Sequence, residues 1–183
     1  MCSSDLPAPP SAPAPAPARV WAATLDGMTL VAVSGTANFK LAPAFKQALK
    51  AAALAESPTV VVDMAECLHL DSTFMGAIAS AALASRKPGA RPVVRFLNIR
   101  PNVSQLLKGL GILPLLDVLP EGFADLSPLV ANLAPVETAP LAEQSMTAIL
   151  YDAHDTLAGL SPENQARFRD LLELLRADLN RPQ

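Results

Sequence analysis

The chain has 183 residues, with 14 Lys and Arg against 17 Asp and Glu, and its net charge of −3 gives no global field to attract nucleic acid or an anionic membrane. It is 51% hydrophobic but only 4% aromatic, the composition of helices packed through small residues; the charge-free stretch Ser72 to Ser85 is too short to span a bilayer. Two cysteines, Cys2 and Cys67, cannot frame a disulfide scaffold, and no basic-then-apolar leader is visible, so a reducing cytoplasm is the expected compartment.

Residues 1–18 hold six of the 18 prolines in an alternating Pro/Ala pattern and read as a disordered, extended arm. Val20 to Leu25 and Met28 to Ser34 are two β-type runs joined by Asp26-Gly27, a strong hairpin signal. Leu41, Phe45, Leu49 and Leu54 mark a helix over about 41–55, stopped by Ser57-Pro58. The run Thr59 to Met64 is short, β-branched and nearly all apolar, as in a strand covered on both faces.

A loop carrying Cys67-Leu68-His69 leads to Asp71-Ser72, which opens a second helix to about Arg86 with Met75, Ile78, Ala79, Ala82 and Leu83 on its apolar side. Pro92 to Ile99 is another strand. Pro101-Asn102 starts a third helix, which Gly111 is placed to end, and Leu115 to Leu119 suggests one more short strand. The alternation of strand and helix implies an α/β fold with a mixed sheet of four to five strands, an N-terminal hairpin and packed helices. The expected domain is 19–126, followed by a Pro-containing linker over 127–140 and a C-terminal helical hairpin over 141–183. Ser161-Pro162-Glu163 is a sound helix start, and Phe168, Leu171, Leu172, Leu175 and Leu179 form an apolar stripe behind it. The tail has seven acidic and four basic residues, which accounts for the chain's whole net charge. Its apolar stripes must dock on the domain or mediate self-association.

The run Val60-Val61-Val62-Asp63-Met64, followed by Leu70-Asp71-Ser72-Thr73-Phe74-Met75-Gly76, resembles the centre of a STAS domain, the family of anti-sigma-factor antagonists and their relatives. Val94 to Val103, Leu106 to Ile112 and Leu116-Asp117-Val118 continue that resemblance in order, so it covers roughly residues 19–120. It implies a regulatory binding module without catalysis or cofactor, and it places the family's phosphoserine at Ser72. It also implies the partners: a serine kinase with a histidine-kinase-like ATP-binding fold, released when it phosphorylates the serine, and a phosphatase that reverses the mark. Asp71, Ser72, Thr73, Phe74 and Asn38 are the candidate partner-binding residues. Phe74 stands where the family usually has Gly and is a candidate interface anchor; Asn38 stands where many members carry Asp. Independently of the resemblance, Asp71 as a helix cap would leave Ser72 on an accessible first turn, where backbone N–H groups favour a phosphate. The alternative function is a constitutive STAS-type scaffold subunit of a transport or signalling complex, without a phosphoswitch.

Other clusters point to less. Cys67 and His69 lack partner ligands, so no metal site is expected. His154, in a segment faintly similar to the helix of histidine phosphotransfer domains, reads as a solvent-facing side chain between Asp152 and Asp155. A serine hydrolase built on Ser72 is rejected because no Gly-x-Ser-x-Gly elbow exists and His154 belongs to an appendage. Arg86, Lys87, Arg91, Arg95 and Arg100, interrupted by prolines, suggest a solvated edge and no nucleic-acid surface.

Overall fold

The computed structural model describes residues 17–181, so most of the Pro/Ala arm lies outside the described residues. Asp26 (φ 49°) and Gly27 (φ 75°) both take left-handed backbone, the requirement of a type I′ turn. They join β1 (Arg19–Leu25) to β2 (Met28–Ala37) as an antiparallel pair. Parallel to β2 runs β3 (Thr59–Asp63); β4 (Cys67–Leu70) also pairs parallel with β2, at its C-terminal end past a register shift between Gly35 and Thr36. With β5 (Val93–Leu97) and β6 (Ala134–Pro135) the sheet order is β5-β3-β2-β1-β6, and β4 lies off this path. Val60 and Val62 face the main core while Val61 faces a second, smaller one, which is why this strand reads as continuously apolar.

The main core lies under α1 (Ala42–Leu54), α2 (Ser72–Ser85) and α3 (Pro101–Gly109). Helix α3 ends as expected: Gly111 has φ 72°, its N–H bonds to Lys108 O, and the Ile112 N–H bonds back to Leu107 O. On the other sheet face, Leu129 of α4 (Ser127–Ala131) packs with Ala23, Leu30, Val61 and Leu97. The C-terminal pair, α5 (Glu143–Ala158) and α6 (Pro162–Leu179), lies outside α2 as a further layer.

Four local expectations change. Residues 67–70 form a strand where a loop was expected, because four residues are too few to show alternation. The expected strand over 115–119 is a 3-10 turn at Leu113–Leu115 followed by a single parallel bridge between Phe96 and Val118. The segment 127–140, expected to be a linker, carries α4 and β6, the latter paired with Trp21 and Ala22 of β1. Along α6 the inward stripe is Phe168, Leu172, Leu175 and Leu179; Leu171 is exposed.

Candidate functional site

The site lies where β2 and β4 end side by side and α2 begins. The Asp71 N–H donates to Ala37 O, which ties the two strand ends together. Asp71 then caps α2 with extended backbone, its Oδ1 accepting from the Phe74 N–H at 2.8 Å. Its Oδ2 accepts from the Phe39 N–H at 2.7 Å, so one carboxylate orders both the helix start and the loop after β2. Asn38 stabilises that loop from within: its Oδ1 accepts from the Lys40 N–H at 3.0 Å, and its carbonyl accepts from Leu41 and Ala42.

Only part of the predicted set is available to a partner. Ser72 is half-buried at the rim, and Asn38 is half-buried beside it. Thr73 and Phe74 are corrections: Thr73 is buried, and Phe74 is fully buried with its ring 5.1 Å from that of Phe45. Phe74 is therefore a core residue and cannot be an interface anchor. The exposed aromatic at the site is Phe39, with the Lys40 ammonium 5.9 Å from its ring. Nothing in the sequence singled it out, since a lone Phe in a loop carries no periodic signal.

His154 is the larger correction. It is 4% exposed, not solvent-facing, and its Nε2 lies 2.9 Å from the Ser72 Oγ. Its Nδ1 lies 2.8 Å from the carbonyl of Leu150, and its ring meets Phe168 edge-on at 5.2 Å. A carbonyl can only accept, so Nδ1 carries a proton in this network, and in the neutral ring Nε2 accepts from the Ser72 hydroxyl. Serine and histidine thus meet across 82 residues, which sequence spacing could not reveal. They lack a carboxylate on Nδ1, and Ser72 follows a helix cap, with no strained strand-to-helix elbow beneath it.

Cys67 is buried, and burial raises its thiol to about 11; His69 is exposed in the same strand. Among the described residues no three His, Cys, Asp or Glu side chains group as metal ligands. Arg86 binds the carbonyls of Pro114 and Leu115, Arg95 pairs with Asp117 at 3.0 Å, and Arg100 reaches the Ala65 carbonyl. No helix among the described residues is long and apolar enough to cross a membrane.

With the capped serine, the parallel strands and the three core helices in place, the family model for the STAS domain matches residues 20–127, more than half of the chain. The chain belongs to the STAS domain family. Two solved structures are similar to the STAS domain seen here. One, an anti-sigma factor antagonist from Mycobacterium paratuberculosis, is 22% identical over 62% of this chain and 92% of its own, with a TM-score of 0.47. The other, the anti-sigma factor antagonist SpoIIAA in its unphosphorylated form, is 14% identical over 60% of this chain and 95% of its own, with a TM-score of 0.48. No curated protein matches the chain. The match to the STAS domain stops at residue 127, before α5 and α6.

Proposed function

We propose that this STAS domain is an anti-sigma-factor antagonist-like binding module, not an enzyme, and that phosphorylation of Ser72 controls its partner. The supporting observation is the position of Ser72: a hydroxyl in the first turn of α2, set by the Asp71 cap, next to the exposed Phe39 and Lys40. The partner on this reading is a serine kinase with a histidine-kinase-like ATP-binding fold. Attack by Ser72 Oγ on the γ-phosphorus of the kinase's ATP forms the Oγ–P bond, breaks the bond to ADP and gives up the hydroxyl proton. The product carries about −1.5 to −2 charges at a helix N-terminus, where the fold tolerates them and a docked partner does not. A phosphatase restores the hydroxyl.

The test is capture of partners on the full chain, identification by mass spectrometry, and calorimetric titration of the recovered kinase with wild type, Ser72→Ala and Ser72→Asp. Ser72→Ala should bind and resist phosphorylation. Ser72→Asp should lose about 2–5 kcal/mol, a weakening of tens- to thousands-fold, because its charge would be desolvated at the interface. Equal affinities, or recovery of a transport ATPase or permease in place of a kinase, would replace the switch with the constitutive scaffold.

A further inference from the structure

On the reading that Ser72 is the controlled residue, its surroundings carry a second level of control. The α2 face that bears Ser72 is occupied by the chain itself. Ser72, Gly76 and Ser80 recur every fourth residue along α2, and α5 lies against them. At Gly76 the approach is so close that a Cβ would stand 2.4 Å from the Ala153 carbonyl oxygen, with the Ala153 carbonyl carbon and Cα at 2.7 Å. One turn earlier the Ser72 hydroxyl is engaged by His154, and one turn later Gly76, Ala77 and Ser80 share a small cavity with Ile149, Asp152 and Ala153.

Apolar contact continues the attachment, since Leu157, Ala158 and Phe168 join the main core cluster, and few polar contacts add to it. Asn164 is buried and its Nδ2 donates to Leu110 O at the end of α3 and to Leu157 O in α5, each at 3.0 Å. Lys46 and Asp152 form an exposed ion pair at 3.7 Å. The chain before α5, from Glu137 to Ala142, carries no helix or strand and can serve as a hinge.

We propose that α5 and α6 form an intramolecular cap that competes with any protein acting at Ser72, so that kinase access and partner docking require the undocked form. A kinase must surround the serine hydroxyl, and here that hydroxyl is held by a buried histidine beneath a helix. By linkage, whatever binds or modifies Ser72 in the open form also shifts the cap off.

The test reads accessibility with a small thiol reagent and needs no partner. In full-length Cys2→Ser/Ser72→Cys protein, the thiol at position 72 reports lifting of the cap, while Cys67 is buried and protonated and reports global unfolding. Adding Gly76→Ala, which drives a methyl into the Ala153 backbone, should raise the labelling rate at position 72 at least tenfold with Cys67 still protected. Asn164→Ala, which frees the cap at its far end without touching α2, should do the same. Equal rates in all three proteins would overturn the cap. So would loss of Cys67 protection in both variants, since α5 and α6 would then be inseparable from the fold. Failure of this test leaves the partner-switching reading intact, and failure to capture a kinase leaves the cap intact.

Discussion

At the scale of single residues, Asp71 does the most with the fewest atoms. Its two oxygens accept from Phe74 and Phe39, and its own N–H closes β4 onto β2. Asp71→Ala removes the acceptors of the part-buried Phe74 N–H and the exposed Phe39 N–H and should cost about 0.5–2 kcal/mol in denaturant unfolding; Asp71→Asn, which keeps one acceptor oxygen, should cost less. Cys67 gives a prediction with a defined pH window. Its thiol titrates near 9.0 when exposed and at about 11 when folded, because burial penalises the thiolate. The folded state therefore holds its proton longer than the unfolded state, so the contribution is full below pH 9 and lost as pH rises toward 11. Stability followed across that window should fall for wild type and fall less for Cys67→Ala.

At the scale of elements, what was legible in the sequence follows from length and period. The Asp26-Gly27 hairpin, the buried Thr59–Asp63 strand and the Asp71 cap are each dictated by neighbours a few residues away, so they could be read directly. The four-residue β4 and two-residue β6 leave no such trace. Helix α2 carries a signal that only the structure explains. Seven consecutive residues, Thr73 to Ala79, are buried, more than one full turn, so the N-terminal half of the helix is covered on every side. The sheet and α1 account for one flank; Gly76, too small to fill a core, marks the flank taken by α5. The place of Phe74 is not legible in the motif, which cannot tell a residue aimed at a partner from one aimed at Phe45. Asn164 is the corresponding hidden element of α6. Asn164→Ala leaves the Leu110 and Leu157 carbonyls without this donor and should cost about 1–3 kcal/mol; Asn164→Asp, which sets a carboxylate against carbonyl oxygens, should cost more.

At the scale of the whole molecule, the question is whether the STAS domain and its C-terminal helices melt as one unit. Leu157, Ala158 and Phe168 belong to the same apolar cluster as Phe45, Leu107 and Ile112, which couples the cap to the core. Two probes separate the parts. Trp21, the single tryptophan, sits in β1 next to Pro135 and reports on the sheet edge, whereas far-UV circular dichroism draws heavily on the 16 residues of α5 and 18 of α6. For wild type the two thermal transitions should coincide, the mark of a cooperative unit. Gly76→Ala pits two effects against each other. Alanine favours the helix by about 0.8–1.0 kcal/mol over glycine, which strengthens α2 itself, while its methyl collides with the Ala153 backbone. If the cap can lift, the collision is relieved by undocking: dichroism should begin to fall at lower temperature while the Trp21 transition stays within a few degrees of wild type. If both transitions move down together, the strain is retained in the core and the helical pair is an integral layer of the domain.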